Sequence, residues 1–131
     1  MMGTRFIVTP ESLAGDAYRQ MLVESRIDDV LLTRAFSGLD TNMLRPSIIA
    51  AGLDPAALPA PTPEEARKVF GPEGSAHLRR WVDVWSAGHT VSGVDAVLPA
   101  AEPIERIAAE YAAAQRETAA MLPPRDGEPL S

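Results

Sequence analysis

The stretch Met2-Gly3-Thr4-Arg5-Phe6, close to the start of the chain, carries the strongest chemical signal in the sequence. A glycine followed by a threonine near a turn can present backbone N–H groups to a phosphate. Many turns contain the same pair, so the stretch alone indicates a candidate phosphate contact and no more. The segments that follow it indicate the fold.

Three amphipathic segments predict helices at residues 10–25, 76–85 and 102–122. The first begins at Thr9-Pro10-Glu11, where Thr9 suits the N-cap and Pro10 the first helical position. The second follows Ser75 as its cap and places four apolar residues on one face: Leu78, Trp81, Val82 and Trp85. The alanine-rich third has an inner face of Ile104, Ile107, Ala108, Tyr111 and Gln115, with Arg106 able to pair with Glu102 and Glu110 outside.

Between the first two helices the sequence predicts a short hairpin. Val30–Thr33 is a strand candidate, residues 37–40 form a turn, and Asn42–Arg45 returns as a strand that Pro46 ends. Residues 52–63 are a proline-rich loop, after which Thr62 and Glu65 predict a capping box on a short helix stopped by Gly71-Pro72. The predicted fold class is mainly α with a short β hairpin, and such a hairpin needs a third strand or a covering helix.

Composition bounds the function. The 131 residues suit one domain at most, and 46% hydrophobic with 23% charged residues is typical of a soluble globular protein. A net charge of −6 argues against broad nucleic-acid binding, and the lack of cysteine excludes disulfides and thiolate chemistry. No apolar run spans a bilayer and residues 1–8 are no signal peptide, so the expected compartment is the cytoplasm.

Isolated chemical groups give weaker signals. His77 is most simply a solvated residue in the first turn of a helix, whereas His89, in a loop between glycines, suits either a base or a cation at a helix C-terminus. Ser86 and Ser92 flank His89 without a nucleophile elbow. The adjacent pairs Asp28-Asp29 and Glu64-Glu65 fit caps and turns better than catalytic dyads. Trp81 and Trp85 fit a core, packed against the helix at 10–25 or the last helix, better than a ligand platform.

Two motifs together resemble the nitronate monooxygenase family, formerly called 2-nitropropane dioxygenases. The first is Met2-Gly3-Thr4-Arg5-Phe6-x-x-Thr9-x-Glu11-Ser12-x-Ala14, with Tyr18 shortly after, and the second is Trp81-x-Asp83-x-Trp85-Ser86-Ala87-Gly88. Their order and spacing, and the long alanine-rich last helix, are similar to those of the family over nearly all of residues 2–122. Flavin-type enoyl-acyl carrier protein reductases share part of the first motif.

The resemblance implies an FMN-binding (β/α)8 barrel that oxidises alkyl nitronates with molecular oxygen, a small-molecule substrate. Met2, Gly3 and Thr4 match the family's phosphate-binding stretch after the last strand, and they are therefore the expected cofactor-binding residues. Met1 stands where the family usually has glutamine, which suggests a reading frame that opens mid-gene. Residues 1–122 are then the C-terminal portion of the barrel, and residues 123–131, rich in proline, a disordered tail.

The chain also departs from the family pattern. The family's catalytic base is a histidine after a Gly-Gly pair, and this chain contains no such pair, so neither histidine inherits the role. His89 stands where glutamine is common and Ser92 where glycine is common. We therefore expect no catalytic residue and no metal site in this chain.

Two interpretations from different functional classes follow. The first is a fragment or truncated paralogue of a nitronate monooxygenase, and the second a non-enzymatic helical module from that ancestor that binds a protein partner. A fragment of an enoyl reductase is a weaker alternative, because the second motif favours the monooxygenase. A barrel fragment should expose apolar helix faces that the rest of the barrel covers, whereas a true module should bury them.

Overall fold

The structure, a computed structural model, describes residues 3–71, 78–79 and 81–122. As predicted, it is mainly helical with one two-stranded antiparallel hairpin. Two 3-10 helices lie at Ile27–Asp29 and His89–Gly93. The regular elements are α1 (Gly3–Ile7), α2 (Asp16–Glu24), β1 (Val30–Thr33), β2 (Thr41–Leu44), α3 (Arg45–Ala50), α4 (Pro63–Phe70) and α5 (Ala101–Met121).

The hairpin forms where the sequence predicted it, in a register that runs from Val30 opposite Leu44 to Thr33 opposite Thr41. The turn between the strands needs glycine at position 38. Gly38 has φ 73°, and a Cβ there would lie 2.2 Å from the backbone nitrogen of Pro63. The turn therefore packs directly against the start of α4, and only a residue without a side chain permits that approach.

An isolated backbone bridge at Ser86 covers part of the free side of the two-stranded hairpin. Met43 on β2 forms an antiparallel bridge with Ser86, and the backbone N–H of Leu44 donates to the carbonyl of Trp85 over 2.8 Å. The second side of β2 is thereby paired with a segment about forty residues further along the chain. This pairing joins the hairpin to the Trp85–Gly88 region.

Ser47 fixes that pairing from inside the protein. Its side chain is fully buried at the first turn of α3; its hydroxyl donates to the carbonyl of Leu44 over 2.8 Å and accepts from the N–H of Trp85 over 2.9 Å. The strand ends at Leu44, one residue before the predicted end at Arg45, and Pro46 lies in the first turn of α3, which the sequence analysis did not predict. Proline suits a first helical turn because its missing N–H would have no helical partner there.

Two apolar clusters lie on opposite sides of β2. The side chains of Met43 and Leu44 point to opposite faces, as neighbours on a strand do, and each belongs to a different cluster. One cluster joins α1, α2 and the second 3-10 helix through Val8, Leu22, Leu44, Ala87, Val91 and Val94. The other joins the hairpin, α3 and the Val84 segment through Ala35, Phe36, Met43, Ile48 and Val84.

The predicted start of the first long helix is wrong. Residues 9–13 form turns, and α2 begins only at Asp16. The hydroxyls of Thr9 and Ser12 donate backwards, to the carbonyls of Phe6 and Ile7 respectively. Thr9 thus satisfies the C-terminal carbonyls of the short α1 and does not cap the helix that follows.

The predicted helix at 76–85 is also wrong over its described part. Residues 78–79 are irregular, residues 81–83 form a turn and Val84 lies in a bridge. Trp81 has φ 69°, a conformation that a helix does not contain, and its N–H donates to the carbonyl of Val84. The apolar spacing fitted a helix face, but the carbonyl of Trp85 accepts from Leu44 on β2 and its N–H donates to Ser47 instead. The expected cap Ser75 lies outside the described residues, as do His77 and the predicted tail.

Two further helices follow the sequence closely. α4 starts with the predicted capping box, in which the Glu65 carboxylate accepts from the N–H of Thr62 over 2.8 Å; this bond lowers the pKa of Glu65. α5 confirms the predicted last helix, and Arg106 pairs with Glu110 at 3.0 Å. Asp29 likewise caps the N–H of Arg26, so the adjacent acidic pairs are caps and turns as expected.

The predicted inner face of α5 is not buried. No residue of the helix is buried, and Ile104 and Tyr111 remain 53% and 64% exposed. Its start is held by Glu11, whose carboxylate accepts from the N–H of Ala100 over 3.0 Å, a bond that lowers the pKa of Glu11.

Within the described residues, no helix combines the length and apolarity that crossing a membrane requires.

We expect Ser47→Ala to destabilise the fold by about 1–3 kcal/mol, because it leaves the buried N–H of Trp85 without its acceptor. Urea unfolding followed by tryptophan fluorescence measures the change. The control is Thr118→Ala on the exposed side of α5, which should leave the transition within experimental error. Equal stability of the Ser47 variant and the wild type would contradict the role assigned to this hydroxyl.

Candidate functional site

Gly3 and Thr4, two of the three residues expected to hold a cofactor, form the first turn of α1. Gly3 is exposed and has open space where a side chain would stand. Backbone N–H groups in a first helical turn have no partner within the helix, so they are available to a ligand. Met2, the third expected residue, lies outside the described residues.

The side chain of Thr4 has a different position. It is only 4% exposed, and its hydroxyl accepts a hydrogen bond of 2.9 Å from the N–H of Gly88, 84 positions along the chain. A Cβ on Gly88 would lie 3.2 Å from the Thr4 hydroxyl oxygen, closer than most such contacts. The two motifs that the sequence singled out therefore touch in the structure at one hydrogen bond.

A cleft of about 330 Å³ opens where these segments meet; we call it the polar cleft. Among the described residues that line it, none has a charged side chain, and most of the polar groups are hydroxyls, an amide and backbone. The lining is Gly3, Thr4, Ile7, Thr41, Asn42, Ser86, Ala87, Gly88 and Thr90. Such walls suit a ligand group held by hydrogen bonds, including a phosphate bound through N–H donors.

A second cleft of about 710 Å³, the aromatic cleft, shares Gly3 and Ile7 with the first. Its remaining walls are mainly apolar and aromatic: Phe6, Ser12, Leu13, Ala14, Gly15, Ala17, Tyr18, Trp81, Val82 and Trp85. The short α1 thus separates a hydrogen-bonding cleft from an apolar one. A ligand with a polar end and a flat apolar end could contact both.

Tyr18 connects the aromatic cleft to the second motif. Its ring stacks on Trp85 with centroids 5.1 Å apart, and its hydroxyl donates to the carbonyl of Ser86 over 2.5 Å. Burial raises the pKa of the Tyr18 phenol, so the group stays neutral and keeps its donor proton. The expected packing of Trp85 against α2 is confirmed, while Trp81 is 49% exposed at the cleft.

His89 and Ser92 gain no catalytic arrangement. His89 is exposed and begins the second 3-10 helix, so the expectation of a cation at a helix C-terminus is wrong. The Ser92 hydroxyl accepts from the N–H of Ile27 over 2.8 Å, a structural contact. Among the residues that the structure describes, no three His, Asp or Glu side chains come together as a metal site would require.

Sequence reasoning missed Thr41, Asn42 and Thr90 as cleft residues. Asn42 lies on the predicted returning strand, Thr41 lies one residue before it, and Thr90 lies beside His89; nothing in the local pattern there marks a ligand-binding role. Only the pairing of β2 with residues 84–86 brings them to the start of α1. A hydroxyl or amide on a strand has no sequence signal of its own for such a site.

Comparison with known proteins agrees with the two motifs. A family model described as nitronate monooxygenase matches residues 1–119, nearly the whole chain. Neither a search of curated proteins nor a search of solved structures gave a significant match.

We expect Tyr18→Phe to lower stability by about 1 kcal/mol, because it removes the bond to Ser86 but keeps the stack on Trp85. As pH rises through the ordinary pKa of tyrosine, the wild type should lose stability, since the unfolded chain ionises at Tyr18 more readily than the folded one. The phenylalanine variant should lose less stability over the same rise in pH. Denaturant midpoints between neutral and alkaline pH measure both effects.

The matched control is Tyr111→Phe, because Tyr111 lies exposed on α5 and its hydroxyl accepts only from Gln115 at 3.1 Å. An equal effect of the two substitutions at neutral pH would contradict the assigned importance of the Tyr18 hydroxyl.

Proposed function

We propose, because this chain belongs to the nitronate monooxygenase family, that it is the C-terminal part of an FMN-dependent barrel enzyme. That enzyme would oxidise alkyl nitronates with molecular oxygen. In this proposal the chain binds the cofactor phosphate and forms one wall of the aromatic cleft beside it. The catalytic base comes from a part of the barrel that these residues do not form.

One observation carries the proposal: Gly3 and Thr4 open a helix at the mouth of a neutral, hydrogen-bonding cleft. The family match includes both residues, and the family is generally FMN-dependent. The chain is acidic overall, with a net charge of −6, so its overall electrostatic field would not attract a phosphate. Donors fixed by the backbone at one point are then the means of holding it.

The residues present fit such a group. Gly3 leaves open space next to its backbone, and a larger residue would fill it. The hydroxyls of Thr41 and Thr90 and the amide of Asn42 offer further donors and acceptors along the same cleft. The aromatic cleft beyond Ile7 offers apolar walls beside them. Bound FMN would supply the electron transfer to oxygen, and the protein would supply binding, orientation and shielding.

Proton transfer is not assigned to this chain. A general base must lie within hydrogen-bond reach of the proton that it removes, and it needs a partner that orients it. His89 is exposed at the start of a 3-10 helix and lacks the Gly-Gly context of the family's catalytic histidine. We therefore name no catalytic residue here.

Exposed apolar side chains support a barrel part over an independent interaction module. α5 buries none of its residues, and apolar side chains on the hairpin and the loops are exposed as well: Leu13, Leu32, Leu39, Ile49, Val82, Ile104 and Tyr111. A module that folds and works alone would cover such a surface at its own core. The competing module hypothesis, which predicts buried helix faces, receives less support.

Replacing Gly3, which is exposed and has open space for a side chain, by glutamate in a full-length relative should weaken FMN retention, because the new carboxylate repels the phosphate. Bound flavin per protein, measured by absorbance after gel filtration, is the readout. The matched control is Gly3→Gln, which has nearly the same size without the charge. Unchanged flavin content in the glutamate variant, or equal loss in both variants, would remove the phosphate assignment.

The 131-residue chain alone should neither hold FMN tightly nor oxidise nitronates. Binding of the phosphate by one segment leaves the flavin ring without the surrounding barrel mouth, and the part of the chain that the structure describes holds no positioned base. The measurements are bound-flavin absorbance and oxygen consumption with propionate 3-nitronate, compared with free FMN. Stoichiometric flavin binding with turnover above that background would overturn the proposal that this is only part of the enzyme.

A further inference from the structure

Two neighbouring residues of α1 touch the two ends of the second 3-10 helix, His89–Gly93. The Thr4 hydroxyl accepts from Gly88, the residue that precedes the helix, over 2.9 Å. The Arg5 guanidinium lies over Gly93 at its other end, where a Cβ would be 3.0 Å from Arg5 Nη2. Between these contacts, Val91 is fully buried in the cluster that α1 shares with α2.

Contacts with α1, and not the backbone angles, favour glycine at positions 88 and 93. Gly88 has φ −78°, which any residue adopts, but a side chain there would crowd the Thr4 hydroxyl. At Gly93 a side chain would displace the Arg5 guanidinium. The close approach of α1 therefore favours a small residue at position 88, whereas at position 93 the flexible end of Arg5 can move aside.

We infer that the side chain of Thr4 is a positioning group, which holds the 88–93 segment against α1 and so fixes one rim of the polar cleft. Thr90, which lines that cleft, belongs to the held segment. Thr4 would then act on a bound ligand through Gly88 and Thr90. The role at a cofactor site rests on the proposed function, but the contact with Gly88 does not.

The geometry supports positioning over direct contact for the Thr4 side chain. It is almost completely buried, and its hydroxyl is already engaged as an acceptor by a backbone group. Three other contacts anchor the chain nearby. The Tyr18 hydroxyl on Ser86 and the bridge of Ser86 to Met43 act before Gly88, and the Ser92 hydroxyl, which accepts from the N–H of Ile27, acts after Thr90. Thr4 therefore holds the stretch between them, on the side of α1.

The first test measures amide hydrogen exchange at Gly88 by NMR in the 131-residue chain. Thr4→Val, which keeps the shape but removes the acceptor, should speed exchange at Gly88 about tenfold, as expected for one lost hydrogen bond. Thr4→Ser retains the hydroxyl and should exchange like the wild type. Exchange at Gly88 that is the same in the valine variant as in the wild type would overturn the inference.

The second test is a double-mutant cycle between positions 4 and 88. Gly88→Ala crowds the same hydroxyl, so Thr4→Val and Gly88→Ala should be strongly non-additive in unfolding free energy. The matched control is Gly15→Ala, where a Cβ has nothing within 4 Å, and its effect should add to that of Thr4→Val. Additivity of the Thr4 and Gly88 substitutions would also contradict the inference.

The third test addresses the cofactor site in the full-length relative. There, the valine substitution at the position of Thr4 should reduce FMN affinity severalfold with little change in melting temperature, and serine should restore it. Flavin affinity equal to wild type in the valine variant would limit Thr4 to a structural role. The glutamate and glutamine pair described above tests the phosphate assignment separately, so failure of one proposal is distinguishable from failure of the other.

Discussion

The pairing of β2 with residues 84–86 is the constraint on which the rest of the molecule depends. The hydrogen bond from Leu44 to the carbonyl of Trp85, and the isolated bridge from Met43 to Ser86, attach this segment to the free side of the two-stranded hairpin. Ser47 satisfies the N–H of Trp85 from inside. Buried backbone groups without partners are costly, so this one hydroxyl permits the segment to lie in the interior.

That pairing also positions the residues that line the polar cleft. Once Trp85 and Ser86 lie beside β2, Ala87 enters the cluster with Val8 and Leu44, and Gly88 reaches the hydroxyl of Thr4. The start of α1, the end of the hairpin and the loop before the 3-10 helix then form the walls of one cleft. The candidate site is therefore a product of packing between segments more than eighty residues apart.

The same structure leaves apolar surface uncovered. α5 is a regular helix whose alanine-rich sequence favours helix formation. Its apolar side chains contact little of the described chain, and no residue of it is buried. Helices of this kind gain most of their stability in proteins by packing an apolar face against another element. A barrel that covers the face of α5 would supply that packing, which is why the surface bears on function as well as on stability.

The sequence by itself determined the elements whose signals are local. The hairpin, the capping box at Thr62 and Glu65, and the long last helix all follow from neighbouring residues, and all appear where the pattern placed them. The two motifs determined the family, and the first of them pointed to Gly3 and Thr4. These inferences needed no knowledge of which segments meet.

Tertiary structure decided what local patterns could not. The apolar spacing of Leu78, Trp81, Val82 and Trp85 fits a helix, yet the backbone groups of residues 84–86 find long-range partners on β2, Ser47 and Tyr18, and Trp81 adopts a positive φ. Thr9 has the chemistry of an N-cap, but the nearest unsatisfied carbonyls belong to α1, and it bonds there. Asn42 and Thr90 became cleft residues only through long-range pairing, because periodicity records which faces are apolar and not which partner covers them.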